Sequence, residues 1–457
     1  MQIFRKQQLM LNYSKYRKFS FLILFFLLLI TVAGYIFQPN KSNVSMTLFY
    51  IIFVMMIISN IIYFLTKRKS NYLDFDSIFI LTYCLVGFSA TFFYYSAFYK
   101  ALFLGFPVSV LYINRGNLLF LIGLQSYMLG SLVNCKEKNM NNFKSITTID
   151  TYLLSIFNFI LILLFIISGG ISSIRSSYDS TYNTTESGLY RYILLLLICT
   201  SIVLVSTELY NKNIKSSYNI KYFTLFSLLF TVLILLFAGN RTAASQILLP
   251  FLCIYTMYFH HVKFKKFVIL MFLGIFSMWF IQIFRENSEF TLSRPILLIL
   301  DLTIPSRQTY SAIEYVEING YTFGKTMSLG LIGIIPFLAS FITKGDMTQY
   351  GSAELLTNIT NVKYSIPEEA RIGLGTTIIG DIYLSFGLIG VILLMLFLGY
   401  FINKLILKSV YNDYYSLLMY SSMAANSIFI VRASYTHPIR FMVWSLIIAF
   451  VFKLKLK

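Results

Sequence analysis

Charged side chains are scarce in this chain: Asp, Glu, Lys and Arg together make only 12% of its 457 residues. That excludes an ordinary soluble domain, whose surface needs roughly a quarter of its residues charged. Cysteine is nearly as rare, and the four present (Cys84, Cys135, Cys199 and Cys253) fall in or at the ends of apolar runs. No disulfide framework and no CxxC metal spacing can be built from them. The three histidines form no cluster, since His260 and His261 end one apolar run and His437 stands far away. Acidic residues number 18 against 37 basic ones, and no DxD pair occurs in the outward segments. Nothing therefore calls for a metal, and no cofactor motif is present.

What fills the chain instead is apolar. Hydrophobic residues make 57% of the composition and aromatics 18%, with a mean hydropathy of +0.73. A transmembrane helix needs about 20 apolar residues, so the sequence predicts an all-α polytopic membrane protein of about 12 spans. The runs lie at 19–37, 46–65, 77–99, 117–134, 151–168, 189–208, 222–238, 242–260, 267–284, 377–402, 415–431 and 440–451. The whole chain, 1–457, reads as one integral membrane domain. No small-residue cleavage pattern follows the first run, so a cleaved signal peptide is not expected.

The formal net charge of +19 follows topology. Arg17 and Lys18 precede the first run, Lys67 and Lys69 follow the second, and Lys212, Lys263, Lys404, Lys408 and Lys453 close later even-numbered runs. Lys and Arg are retained on the cytoplasmic side, so both termini are expected to be cytoplasmic. The charges alternate with the spans and build no continuous basic face, which argues against nucleic acid.

One connection is long. Residues 285–376, between the ninth and tenth spans, face outward by the same parity, and loops of this size carry function. Within it, PILLILDLTIP (295–305) and TMSLGLIGIIPFLASFI (326–342) are apolar but short or proline-broken. They are expected to form short interfacial or re-entrant helices over the outer mouth of the bundle.

On this topology several arginines stand where the positive-inside bias opposes them: Arg241 in the tight turn GNRTAAS, then Arg285, Arg294, Arg371, Arg432 and Arg440. A guanidinium group binds phosphate through paired, charge-assisted hydrogen bonds. Gathered at that depth, these groups fit a lipid-linked pyrophosphate; singly, they could snorkel to headgroups or cap helix C-termini. The pyrophosphate candidates are Arg241 with Arg371 and one or both of Arg285 and Arg294, with Arg432 and Arg440 secondary. For a base there are two candidates. Asp381 sits in an apolar run, where a carboxylate calls for a partner, and either takes a proton or holds an arginine. His437, in RASYTHPIRF, is neutral near pH 7 and is otherwise a turn residue. Glu289 and Glu314 belong to the loop, where carboxylates are usually solvated.

Three local patterns carry a resemblance: GNRTAAS at 239–245, FGKTMSLGLIGIIPF at 323–337 and GLGTTIIGDIYLSFGLIGVILL at 373–394. With the span count and the late long loop, the chain resembles the Wzy-type O-antigen polymerases, or oligosaccharide repeat unit polymerases. The last pattern is similar to that family's glycine-rich approach, acidic residue, aromatic and FG..G. Two positions depart from it: Asp381 stands where the family more often has Glu, and Phe337 where a basic residue usually follows the loop proline.

The resemblance implies a glycosyltransferase at the periplasmic face of the bacterial inner membrane. Its partners would be an undecaprenyl-pyrophosphate-linked donor and acceptor, membrane lipid and a chain-length regulator protein. An O-antigen ligase would share the outer-face chemistry and differ in its acceptor. A lipid-linked oligosaccharide flippase should show two similar halves and charges at mid-bilayer, and neither is visible.

Overall fold

The computed structural model describes residues 14–67, 69–89, 110–133, 149–179, 189–214, 218–286, 303–343, 347–366 and 373–454. They are helical throughout, with no strand among the described residues. In chain order the helices are α1 (Ser14–Phe37), α2 (Met46–Lys67), α3 (Phe75–Gly87), α4 (Ile113–Leu132), α5 (Thr151–Ile167), α6 (Gly170–Asp179), α7 (Leu189–Ile214), α8 (Tyr222–Phe237), α9 (Arg241–Tyr258) and α10 (Phe264–Glu286). After them come α11 (Ser306–Asn319), α12 (Ser328–Ile332), α13 (Leu338–Thr343), α14 (Ser352–Lys363), α15 (Ile378–Val410), α16 (Tyr414–Ala425) and α17 (His437–Leu454). Four of these, α1, α2, α7 and α15, are long and apolar enough to cross a membrane, and shorter apolar helices accompany them.

Two cores are packed side by side. One gathers α1, α2, α3 and α4 with α15; the other gathers α5, α7, α8 and α9 with α16 and α17. Helix α4 is buried along almost its whole length, with Asn114, Asn117, Gln125 and Ser131 among its buried residues. Its most extensive partner is α15, and two glycines make that approach possible. A Cβ on Gly130 would stand 1.9 Å from the Leu396 carbonyl oxygen, and one on Gly399 would stand 2.1 Å from that of Tyr127. Small residues let apolar helices close to backbone contact where burial of oil against oil drives nothing.

The helix ends sort by charge. Arg17 Nε donates to the Leu132 carbonyl at 2.7 Å, Lys67 pairs with Asp76 at 2.5 Å, and the Tyr258 and Tyr210 hydroxyls donate to Ser409 and Asn412 carbonyls. These contacts bring the start of α1 and the ends of α2, α4, α7, α9 and α15 to one end of the bundle. That end carries the basic residues whose alternation the sequence displays. The opposite end holds the starts of α4, α9, α15 and α17 and the segment 303–366.

The apolar stretch 326–342 forms no span. It folds as a 3-10 turn (Lys325–Met327) followed by the short α12 and α13, with Pro336 between the two helices. Helices α11 and α14 are polar and pack on α15. Helix α15 continues eight residues past the expected 402, and it is broken within. Gly387 has φ 64° and ψ −155°, a conformation open to glycine.

Candidate functional site

The turn between α8 and α9 shows what each letter of GNRTAAS does. Gly239 takes φ 87°, its N–H donates to Leu236 O at 2.9 Å, and the Asn240 N–H donates to Leu235 O at 2.9 Å. This paired closure by a left-handed glycine ends α8. The Asn240 side chain then accepts from the Ala243 N–H at 2.9 Å and starts α9. Ala243, Ala244 and Ser245 are buried, leaving Arg241 in the first turn, half-buried. Lower on α9, Gln246 Nε2 donates to Asn426 Oδ1 at 3.0 Å, so the start of α9 adjoins the residue that ends α16.

From Asn426 the chain runs through a 3-10 turn (Phe429–Arg432) and an extended Ala433 into α17. This connection carries Arg432, His437 and Arg440. Arg440 Nη2 lies 3.4 Å from His437 Nδ1, and its guanidinium carbon stands 5.1 Å from the Phe441 ring centre. Arg440 Nε is buried with no hydrogen-bond partner among the described residues. An interior guanidinium nitrogen left open in this way suits an incoming acceptor oxygen.

Asp381 anchors the same connection. Fully buried in the first turn of α15, its Oδ2 accepts the Tyr435 backbone N–H at 2.8 Å. Among the described residues no ion pair involves Asp381, and the candidate partners Arg294 and Arg371 lie outside them. The Asp381 Oδ1 and the Ser352 Oγ are both buried, and the Ser352 hydroxyl is the hydrogen-bonding neighbour that the carboxyl has on α14. Glu354, two residues further along α14, adds its charge beside the Asp381 carboxyl, and burial raises its own carboxyl above the ordinary glutamate range. The first turn of α15 is itself fixed by Thr377, whose Oγ1 accepts the Gly380 N–H at 2.9 Å and meets Thr309 Oγ1 at 2.5 Å.

The break at Gly387 ties the segment 320–327 to this half-helix. Thr322 N–H donates to Leu384 O at 3.0 Å and Phe323 N–H to Ser385 O at 3.1 Å, satisfying carbonyls that a continuous helix would have used. Away from water such groups cannot be left open. A Cβ on Gly387 would stand 2.8 Å from the Tyr321 ring. Beyond the turn, Thr436 Oγ1 donates to Met327 O at 3.0 Å, so 322–327 is pinned between α15 and the residue before His437.

Of the residues read from sequence, then, Asp381, Arg432, His437 and Arg440 converge on one connection, and Arg241 adjoins its start. Arg294 and Arg371 lie outside the described residues. Arg285 falls in the last turn of α10 and its side chain also lies outside them. Glu289 lies outside as well, and Glu314 is occupied by Lys363 at 2.6 Å. Phe337, at the position expected to be basic, has φ 64°, and its N–H donates to Tyr192 Oη at 2.9 Å.

Three charged residues escaped the sequence reading. Arg307, 2% exposed in the first turn of α11, was one loop charge among several, and only its place after Pro305 marked it as opening a helix. Arg115 stacks 4.5 Å from the Tyr35 ring centre, and Tyr35 donates to Tyr383 at 2.9 Å on α15. Glu354 carried no signal.

No curated protein and no solved structure matches the chain. The family model for the O-antigen polysaccharide polymerase Wzy matches residues 19–456, nearly the full length and across every element just described. The chain belongs to the O-antigen polysaccharide polymerase Wzy family.

Proposed function

We propose that the chain extends O-antigen at the periplasmic face of the inner membrane, with both termini cytoplasmic, about 12 spans, and 285–376 as the large periplasmic loop. Wzy polymerases act on lipid-linked oligosaccharide repeat units. In this reading the hydroxyl oxygen of the acceptor unit attacks the anomeric carbon of the undecaprenyl-pyrophosphate-linked donor. A new glycosidic C–O bond forms, and the C–O bond to pyrophosphate breaks, its electron pair leaving on the phosphate oxygen. The hydroxyl proton passes to a base.

The observation that carries this reading is that Arg432 and Arg440 stand on one connection, which Asp381 anchors and whose start adjoins α9, the helix that Arg241 opens. Their guanidinium groups bind the departing pyrophosphate and neutralise it without a divalent metal, as preorganised donors aimed at developing charge do. From the sequence, Arg371 and one or both of Arg285 and Arg294 are further candidates for the same pyrophosphate. His437 Nδ1 takes the hydroxyl proton as Arg440, now 3.4 Å from it, turns toward the phosphate. Asp381, buried and bound to the Tyr435 N–H, positions the connection that carries both. A chain-length regulator would act on the same outer segments.

The test is complementation of a strain deleted for this gene, with the surface glycan resolved on a gel. The unmodified protein restores a ladder, and Arg440→Ala at equal membrane level leaves a single repeat unit on core. A full ladder from Arg440→Ala would remove this arginine from the leaving-group site.

A further inference from the structure

Beside the broken helix lies a cavity of ≈ 380 Å³ whose wall includes Tyr315, Asn319, Tyr321, Thr322, Lys325 and Gln349. That volume is at the small end of ligand pockets, which span roughly 300–1,000 Å³. The lining combines two tyrosine rings with two amides, two threonine hydroxyls and an ammonium. A sugar ring has the complementary surface, with C–H faces to lie on an aromatic and hydroxyl edges that both donate and accept. Tyr321, 44% exposed, meets the 80% exposed Phe323 ring edge to face at 6.4 Å just outside the wall.

Lys325 gives the cavity a sign. Its Nζ donates to Gln349 Oε1 at 2.8 Å and sits 5.6 Å from the Tyr350 ring centre. No carboxylate pairs with it among the described residues. An ammonium has three donors, so two remain for an anion. The amide and the ring hold it in place without neutralising it.

The position of the cavity joins it to the candidate site. Thr322, in its wall, is bonded to Leu384, three residues after Asp381, and Thr326 Oγ1 meets Ser385 Oγ at 3.3 Å. The same strip touches Thr436 from its other side: Met327 O accepts from Thr436 Oγ1, and a Cβ on Gly330 would stand 2.2 Å from it. One segment of chain thus has the cavity on one flank and the approach to His437 and Arg440 on the other.

We propose that this cavity is a sugar subsite that receives a ring of the repeat unit and prefers a sugar bearing a carboxylate, which Lys325 binds. It rests on the polymerase reading only for the source of that sugar. Specificity would then be set here, where a site built to pair a group rejects the analogue lacking it, while the arginines read the pyrophosphate common to every substrate.

The full chain in lipid nanodiscs is titrated with methyl glucuronide, methyl galacturonide, the methyl glycoside of N-acetylneuraminic acid, methyl glucoside and inorganic pyrophosphate. Binding is read by saturation-transfer NMR. At least one acidic glycoside is expected to bind about tenfold more tightly than the glucoside, and Lys325→Gln to remove that preference while sparing glucoside binding. Equal binding of acidic and neutral glycosides, no binding of any glycoside, or a preference unchanged in Lys325→Gln overturns the proposal. So does pyrophosphate binding that depends on Lys325 more than any glycoside does, since the anion would then be the lipid carrier's. The polymerase reading stands or falls separately: a ladder that needs Arg440 with no acidic preference in the cavity discards the subsite alone. An acidic preference with a ladder indifferent to Arg440 discards only the arginine site.

Discussion

Asp381 and Tyr435, 54 positions apart in the chain, are joined by one hydrogen bond of 2.8 Å from a backbone N–H to a buried carboxylate. It holds the entry to α17 against the start of α15, and with it the approach angle of His437 and Arg440. A side chain used in this way differs from a base in what it tolerates. An amide oxygen can accept the same N–H but cannot take a proton at neutral pH.

Asp381→Asn is therefore expected to keep most of the polymer ladder, whereas Asp381→Ala loses it together with about 1–3 kcal/mol of stability from the abandoned N–H. Equal loss of ladder in both variants, with Asp381→Asn normally stable in detergent, would falsify the positioning role and make the carboxylate a base.

Glu354 supplies a prediction with a definite sign. Burial raises its carboxyl above the ordinary value of 4.5, so the folded protein holds this proton more firmly than the unfolded chain does. Stability then falls as pH rises through the window from that ordinary value up to the raised one, and stays lowered above it. Glu354→Gln removes the penalty. It should unfold at a higher temperature than the parent near pH 7 and at the same temperature near pH 4. A variant less stable than the parent at pH 7 would mean that the ionised carboxylate has a favourable partner.

The elements legible in the sequence were those dictated locally. Apolar runs located the helices because a span must be apolar over its length, and the alternation of Lys and Arg sorted their ends. GNRTAAS was legible as a tight turn, since glycine, asparagine and small residues each have a local job there. The break at Gly387 was not. Its flanks, LSF and LIG, are as apolar as the rest of α15, and what breaks the helix is Tyr321, 66 positions away, claiming the space a Cβ would fill. The partner of Asp381 was hidden for a related reason. Sequence shows that a buried carboxylate needs a donor, but a backbone N–H carries no residue signature. Arg307 and Glu354 lay in the long loop, where no periodicity separates buried charges from solvated ones.

Gly387 can be tested directly. Alanine there must adopt a positive-φ backbone that is essentially glycine's alone, at about 1–3 kcal/mol, and must displace the Tyr321 ring. Gly387→Ala should lower the thermal midpoint in detergent and weaken polymerisation by loosening 321–323. Gly274→Ala, on α10, is the comparison, since its added methyl meets nothing within 4 Å and its φ is ordinary. Should the two variants be equally stable, the break is not maintained by glycine.

Asn240 and Arg241 are adjacent, and their substitution should separate stability from activity. Asn240 caps α9 through Ala243, and loss of such a cap costs about 1 kcal/mol. Arg241 follows it at the half-buried first position of the helix, just after the capping residue. Asn240→Ala should therefore lower the unfolding midpoint while leaving a ladder of reduced intensity but normal spacing. Arg241→Ala should leave the midpoint near that of the parent and collapse the ladder to a single repeat unit. A charge kept in Arg241→Lys but without the planar fork should give an intermediate ladder, because a point charge still attracts pyrophosphate but cannot clamp two of its oxygens. If Arg241→Ala instead loses stability in step with activity, the arginine is part of the helix junction and the leaving group is held by Arg432 and Arg440 without it.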